Sequence, residues 1–154
     1  MNKRYYIAYG SNLNVQQMRL RCPNARVVGT GWLTGWQLLF KGSGSGAYLT
    51  IERAEDGRVP VGIWEVTAQD ETMLDRYEGY PHFYDKQELP LAFSGIRTGK
   101  TRRQTCFVYI MHEGRSLGLP SRRYIDTCRD GYDDFGFDHK YLIAALGRTM
   151  EGLQ

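Results

Sequence analysis

The sequence predicts an α+β protein with a mixed or mostly antiparallel sheet that could curl into a barrel. Apolar alternation and turn residues mark about six strands against three or four helices. The strands come in hairpins and do not alternate regularly with helices, which argues against a fully parallel sheet. At 154 residues, with no internal repeat and no interdomain linker, the chain is expected to form one domain over residues 1–154.

The first element is an apolar and aromatic strand that begins at Arg4 and runs into the sequence Tyr-Gly-Ser-Asn at 9–12. Gly10 can adopt backbone angles closed to other residues, and a strand-to-helix turn of this kind leaves successive backbone N–H groups unpaired and similarly directed. The loop therefore suits a carboxylate or a carbonyl oxygen. The alternative is a tight turn in which Ser11 and Asn12 only cap the next helix.

A short helix follows, with Asn14 as its N-cap and Pro23 at its end. Residues 29–40 are then extended and rich in aromatic and aliphatic side chains. Gly31 and Gly35 interrupt this pattern and indicate bends or bulges.

Glycine and serine at 42–46 predict a flexible turn, and the next strand covers 48–52. The Asp-Gly pair at 56–57 is typical of a hairpin. It is expected to turn the chain into a further strand over 59–66.

The second half begins with a helix. Thr67 starts an N-cap box, and Gly79 ends the helix, so Glu78 is its last residue. Two more strands are predicted over 84–93 and 105–111.

The remaining elements are helical. Ser121 begins a helix that continues through Cys128, and the residues at 130–136 are expected to form an ordered loop. Asp138 is expected to cap a last helix.

Composition excludes several classes of protein. A net charge of +3 is too small to indicate nucleic-acid binding, and the basic cluster at 97–103 fits a solvated hairpin tip. Three widely spaced cysteines with no CxxC pair indicate neither a disulfide framework nor a zinc site, which favours reduced thiols and a cytoplasmic protein. No apolar run approaches the ~18 residues of a membrane span, and the first residues lack the apolar core of a signal peptide.

Glu78 is the carboxylate best placed for chemistry. It faces the negative end of the helix macrodipole, and Tyr77, Tyr80 and Phe83 would remove it from water. Both effects raise the pKa of the carboxyl, so that it can accept and return a proton near neutral pH. Two alternatives remain open: a solvated helix end without function, and Asp75, three residues back, as a rival or coupled carboxylate.

Other chemistries have weaker support. His82, His112 and His139 have no metal-ligand spacing, so no metal site is predicted. Ser11 does not lie in a Gly-x-Ser-x-Gly sequence, and no histidine is tied to it by a known pattern.

Several motifs together resemble the γ-glutamylcyclotransferase-like family, and in particular its AIG2-like and γ-glutamylamine cyclotransferase branch. The match begins with Tyr-Gly-Ser-Asn-Leu at the end of the first strand, followed by a downstream Glu-Gly and a Tyr a few residues later. Nearly the whole chain is covered, through the segments at 9–13, 61–64, 74–79, 84, 106–111 and 120–124.

The resemblance implies a single small mixed, mostly antiparallel β-barrel with flanking helices and one cavity. Glu78 matches the family's catalytic acid and base. The substrate-binding positions it implies are Tyr6, Ile7 and Ala8 at the strand end, Tyr9, Gly10, Ser11 and Asn12 in the loop, and the pocket tyrosines Tyr84, Tyr109 and Tyr124.

The reaction implied by the resemblance releases 5-oxoproline and a free amine or amino acid from a small γ-glutamyl compound, without a cofactor, nucleic acid or membrane. The loop is Tyr-Gly-Ser-Asn, whereas the glutathione-specific branch has Tyr-Gly-Ser-Leu, so glutathione is disfavoured as substrate. The identity of the leaving amine and the oligomeric state stay open. The alternative function is a non-catalytic module that binds a γ-glutamyl or amino acid metabolite on the same barrel.

Overall fold

Five strands close into a barrel in a computed structural model, which describes residues 3–43 and 46–154. In chain order the strands are β1 (Arg4–Ala8), β2 (Arg26–Ser43), β3 (Gly46–Val66), β4 (Tyr84–Gly95), β5 (Thr101–Met111) and β6 (Ser116–Leu117). They are hydrogen-bonded in the order β3-β1-β5-β4-β2, and β2 also pairs with β3, which closes the ring. The short β6 pairs with β2.

The barrel is mixed because β1 runs parallel to β5, with Tyr5 opposite Cys106. On its other side β1 is antiparallel to β3, with Ala8 opposite Gly62. The remaining strand pairs are antiparallel. The predicted fold class, a mixed and mostly antiparallel α+β barrel with flanking helices, is confirmed.

The described residues also form four α-helices and one short 3-10 helix. The α-helices are α1 (Val15–Arg21), α2 (Ala68–Glu78), α3 (Arg122–Phe135) and α4 (Lys140–Gly152), and the 3-10 helix is Ser11–Leu13. None of the helices in the described part of the chain is long and apolar enough to cross a membrane.

The predicted helix boundaries of α1 and α2 are confirmed by their caps. The Asn14 side chain accepts a hydrogen bond from the Gln17 N–H. Thr67 forms a reciprocal capping box with Asp70, and Gly79 ends α2 in the left-handed conformation, so Glu78 is the last residue of this helix.

The predicted hairpin at 56–57 is wrong. β3 continues past it along the same neighbour: Arg53 pairs with Trp36, and Arg58 pairs with Thr34. Residues 54–57 form a bulge opposite Gly35, which has a φ of 85°. The Asp-Gly pair thus widens a long strand pairing, at the far end of which Ser43 pairs with Gly46.

Of the two glycines expected at bends, Gly35 lies at a bulge, whereas Gly31 pairs regularly with Val61. The turn expected at 42–46 includes residues 44 and 45, which lie outside the described part of the chain.

The loop predicted over 130–136 is instead the last turns of α3, which ends only at Phe135 with Gly136 as its left-handed cap. Gly131 allows this helix to lie against the 3-10 helix, because a Cβ there would be 2.7 Å from the Asn14 backbone nitrogen. The packing of α3 against the 3-10 helix therefore outweighs the turn preference of the residues at 130–136. Helix α4 begins one residue later than expected, although Asp138 still accepts a hydrogen bond from the Lys140 N–H at 2.9 Å.

We expect the two helical glycines Gly131 and Gly147 to respond oppositely to substitution by alanine. Gly131→Ala should lower the free energy of unfolding by about 1–3 kcal/mol, because its methyl group would force α3 away from the 3-10 helix. Gly147→Ala should raise it by about 0.5–1 kcal/mol, because a Cβ at Gly147 meets no atom within 4 Å and alanine restricts the unfolded chain. Urea unfolding of both variants measures the difference, and equal effects would contradict the close approach of α3.

Candidate active site

A cavity of about 410 Å³ opens at the end of the barrel where β1 stops. Nine of the residues singled out from the sequence lie on its wall: Tyr6, Tyr9, Gly10, Ser11, Asn12, Glu78, Tyr84, Tyr109 and Tyr124. They come from β1 and the loop that follows it, the end of α2, β4, β5 and the first turn of α3. The structure thus brings together residues that are far apart in the sequence.

Two predicted site residues do not lie on this wall. Ile7 and Ala8 are fully buried within β1, and neither contributes to the cavity surface. Ile7 points to the face opposite Tyr6, because successive side chains of a strand alternate. β1 is also paired on both edges, which encloses Ile7 and Ala8 in the barrel. Of the three strand-end residues, Tyr6 therefore lies on the cavity wall, whereas Ile7 and Ala8 lie in the core.

The β1 loop carries three backbone donors without a partner among the described residues. The N–H groups of Leu13 and Asn14 bond to the carbonyl oxygens of Gly10 and Ser11, both at 3.0 Å. The N–H groups of Gly10, Ser11 and Asn12 donate to no described residue. An uncommitted row of donors on a cavity wall is suited to an anion or a carbonyl oxygen.

Gly10 does not occupy the left-handed region that its residue type made possible, because its φ is −129°. Gly10 matters in the structure because it has no side chain to fill the space around it. A Cβ at this position would lie 3.3 Å from the Tyr124 hydroxyl oxygen and 3.5 Å from Leu49. The absence of a side chain therefore keeps this part of the cavity open.

Glu78 projects from the end of α2 towards the same loop. Its Oε1 accepts a hydrogen bond from the Asn12 side-chain amide at 3.2 Å, and that amide also donates to the Tyr6 hydroxyl at 2.9 Å. Burial raises the pKa of the Glu78 carboxyl to about 8, and the positive charge of Arg21 opposes this shift. A carboxyl with such a pKa exchanges protons near neutral pH.

The tyrosine hydroxyls around Glu78 are committed to other partners. Tyr84 donates to the Leu49 carbonyl oxygen at 2.7 Å, and Tyr124 accepts from the Leu49 N–H at 3.0 Å. Tyr9 donates to the Tyr109 carbonyl oxygen at 2.6 Å. Burial raises the pKa of each of these phenols, so all of them stay neutral at physiological pH. These phenols therefore line the wall with neutral, hydrogen-bonded side chains.

Asp75 has a different environment from Glu78. Its Oδ1 accepts from the Tyr109 hydroxyl at 2.6 Å and pairs with the Lys86 ammonium at 2.8 Å. It does not line the cavity. Asp75 thus contacts Tyr109 from outside the cavity, and it shares no hydrogen-bond partner with Glu78. Because only Glu78 of the two carboxyls lines the cavity, the geometry favours Glu78 as the proton-transfer group.

The other chemistries considered from the sequence gain no support. No cluster of three or more His, Cys, Asp or Glu side chains in residues 3–43 and 46–154 is arranged to hold a metal ion. Ser11 Oγ lies 3.1 Å from the Tyr77 hydroxyl and has no histidine partner within the described chain. His112 and His139 contact the Pro81 carbonyl oxygen and Asp133, respectively.

Several wall residues have no clear signal in the sequence. They are Tyr48, Leu49 and Arg76, whereas Tyr77 and Phe83 were expected beside Glu78, and Gly79 was expected at the end of its helix. Arg76 lies two residues before Glu78 in α2, and its position could have been inferred from that proximity. Tyr48 and Leu49 reach the cavity only because β3 closes the barrel, which no local pattern indicates.

Comparison with known proteins identifies the class. The family model described as Gamma-glutamyl cyclotransferase, AIG2-like, matches residues 6–127, so the chain belongs to this family. No curated protein matches the chain by sequence.

Solved structures show the same fold. One called gamma-glutamyl cyclotransferase is 25% identical with a TM-score of 0.79, over 94% of this chain and 86% of the other. A human protein called uncharacterized protein loc79017 is 24% identical with a TM-score of 0.76, over 94% and 87%. A yeast γ-glutamyl cyclotransferase specific to glutathione is 10% identical with a TM-score of 0.56, over 98% and 97%, and this likeness concerns the fold alone.

We expect Glu78 to make stability depend on pH. An unfolded glutamate has a pKa of about 4.3. Because the folded pKa is about 8, the folded state binds an extra proton between these values, and the free energy of unfolding should fall as pH rises through this window. Glu78→Gln removes this term, so the stability of the wild type relative to the variant should decrease by at least ~1 kcal/mol between pH 5 and pH 8.

Urea unfolding at several pH values measures this dependence. Glu151→Gln is the matched control, because Glu151 is exposed near the end of α4 and its side chain has no partner among the described residues. A wild type and a Glu78→Gln variant with parallel pH profiles would show that Glu78 is an ordinary solvated carboxylate.

Proposed function

We propose that this protein is an enzyme that releases 5-oxoproline and a free amine or amino acid from a small γ-glutamyl compound. One observation carries the proposal: Glu78, whose pKa is raised to about 8, faces the cavity beside a loop with three uncommitted N–H donors. Membership of the family supports the same reaction. No step of it requires a cofactor.

The first step is activation of the nucleophile. The α-amino group of the substrate, with a reference pKa of about 7.7–8.0, is largely an ammonium at pH 7 and cannot attack. The Glu78 carboxylate removes one proton, and the free amine attacks the γ-carbonyl carbon to form a five-membered ring. A proton is thus transferred between two groups of similar pKa, which is favourable for general base catalysis.

The second step is departure of the leaving group. The protonated Glu78 donates its proton to the leaving nitrogen, and the C–N bond breaks as the carbonyl re-forms. The ring nitrogen loses its remaining extra proton, which ends on the released amine as an ammonium. One carboxyl thus acts as base and then as acid, which is worth about 10²–10⁴ in rate.

The loop and the wall contribute binding and orientation. The N–H groups of residues 10–12 can hold a carboxylate of the γ-glutamyl group or the oxygen that becomes negative during attack. The fixed phenols around Glu78 limit the conformers of a bound substrate. Folding the substrate into its cyclising conformer contributes more than proton transfer, since oriented intramolecular reactions reach effective molarities of about 10⁵–10⁸ M.

The rival function is a binding module that retains a γ-glutamyl or amino acid metabolite without turnover. A pure binder gains little from a carboxyl that is desolvated and has no direct ion pair within the part of the chain that the structure describes. The hydrogen bond from Asn12 and the raised pKa favour an enzyme, since both bear on proton transfer.

We expect the wild type to release 5-oxoproline from at least one member of a panel of γ-glutamyl amines and γ-glutamyl amino acids, and poorly from glutathione. Glu78→Gln should bind the same substrate but lose at least ~10²-fold in kcat, because an amide cannot accept the ammonium proton. Asp75→Asn should cost much less. Below pH 8, kcat/KM should rise by about tenfold per pH unit, as the Glu78 carboxylate becomes populated.

Chromatographic detection of 5-oxoproline measures each rate. Tight binding of γ-glutamyl ligands with no product from any of them would favour the binding module. A Glu78→Gln variant with more than about a tenth of the wild-type kcat would remove Glu78 from the mechanism.

We expect Gly10→Val to abolish binding of 5-oxoproline, because its side chain would crowd Tyr124 and Leu49 and occupy the cavity beside the loop donors. Ser11→Ala should bind nearly normally, since the proposed contact uses the backbone N–H and not the hydroxyl. Calorimetry measures both affinities, and circular dichroism checks the fold. A folded Gly10→Val variant with wild-type affinity would leave the loop as a simple connector.

A further inference from the structure

Arg21, the last residue of α1, reaches from that helix to the loop beside Glu78. Its guanidinium donates to the Oδ1 of Asn12 and, at 2.8 Å, to the Oε1 of Gln17. Its carbon lies 3.4 Å from the ring centroid of Tyr77, in a cation–π contact. Two hydrogen bonds and one aromatic ring thus hold the guanidinium, which pairs with no carboxylate among the described residues.

This contact determines the direction of the Asn12 amide. A guanidinium is a donor only, so the group of Asn12 that faces Arg21 has to be the carbonyl oxygen. The NH₂ group then faces the Glu78 carboxylate and the Tyr6 hydroxyl. In the reversed orientation Oδ1 would face the carboxylate, acceptor against acceptor, and the NH₂ would face the guanidinium, donor against donor.

We propose that Arg21 is a positioning residue for proton transfer, which acts through Asn12 to direct a hydrogen-bond donor at Glu78 and hold its carboxylate towards the cavity. This inference rests on the proposed function. Arg21 also acts on Glu78 through its positive charge, which favours the ionised carboxylate, as the hydrogen bond from Asn12 does.

The other groups that face Glu78 cannot replace this effect. Its titratable neighbours from β1, the loop, β4, β5 and α3 are the phenols Tyr6, Tyr9, Tyr84, Tyr109 and Tyr124, whose pKa burial raises. All five are neutral over the pH range of interest. Arg76 also lies on the wall, but its guanidinium contacts Met73 on its own helix. Arg21 is therefore the cation that is coupled to Glu78 through a hydrogen-bonded path.

The test compares Arg21→Met with Arg19→Met. Arg19 lies on the same helix, is exposed and contacts neither Asn12 nor Glu78, so its substitution removes one charge from α1 without the relay. Arg21→Met should lower kcat by about ten- to hundredfold, with a smaller change in KM, and should move the acid limb of the pH profile to higher pH. Arg19→Met should change neither. Arg21→Lys keeps the charge and one donor. It should therefore retain part of the wild-type kcat, and its acid limb should lie close to the wild-type pH.

A double variant tests the route. Asn12→Leu should reproduce the loss in kcat, and combining it with Arg21→Met should cost little more than either change alone, since both break one path. Losses that multiply would overturn the inference. So would a folded Arg21→Met variant with wild-type kcat and pH profile. Should Arg21→Met fail to fold, Asn12→Leu decides, because it removes the relay itself: an unchanged kcat in that variant would equally overturn the inference.

A direct titration separates this inference from the proposed function. The carboxyl signals of ¹³C-labelled glutamates can be followed by NMR, with Glu78 assigned by its absence in Glu78→Gln. We expect Arg21→Met to raise the pKa of Glu78 and Arg19→Met to leave it unchanged, and equal titration in both would contradict the coupling. A wild type that releases no 5-oxoproline would overturn the proposed function. The titration would still show whether Arg21 affects the pKa of Glu78.

Discussion

Asn12 and Glu78 lie 66 residues apart in the chain, and a hydrogen bond of 3.2 Å joins their side chains across the mouth of the barrel. β1 is antiparallel to β3 and parallel to β5, and this pairing on both edges holds the loop that follows it opposite the end of α2. The desolvation of Glu78, its raised pKa and the shape of the cavity all depend on this arrangement. The barrel is therefore the means by which two short polar segments come to face each other.

The polar groups around the cavity form two sets, those with a hydrogen-bond partner in the protein wall and those without one. The phenols of Tyr9, Tyr84 and Tyr109 donate to carbonyl or carboxylate oxygens, and Tyr124 accepts from the backbone of β3, so these side chains serve the wall. The N–H groups of residues 10–12, in contrast, have no partner among the described residues, and the proposed function assigns them and the carboxyl of Glu78 to the ligand. Burial makes both more effective, since a polar group in a site that excludes water interacts more strongly with its ligand.

Local patterns predicted local structure well. Asn14, Thr67 and Gly79 were assigned as helix caps because capping needs only residues within one turn, and the structure confirms all three. The errors occur where a distant contact outweighs a local preference. The Asp-Gly pair at 56–57 is accommodated as a bulge because β3 continues to pair with β2, and α3 continues through Gly131 because that glycine lets the helix pack on the 3-10 helix.

By itself the sequence determined the fold class, the position of Glu78 at the end of a helix, and the loop with its small and polar residues. These follow from periodicity, capping and a set of motifs, all of which are readable along the chain. Only the tertiary structure decided that Ile7 and Ala8 belong to the core, that Tyr48 and Leu49 complete the wall, and that Arg21 reaches Asn12. Barrel closure and side-chain direction decide such contacts, and both depend on pairing between segments that no local pattern connects.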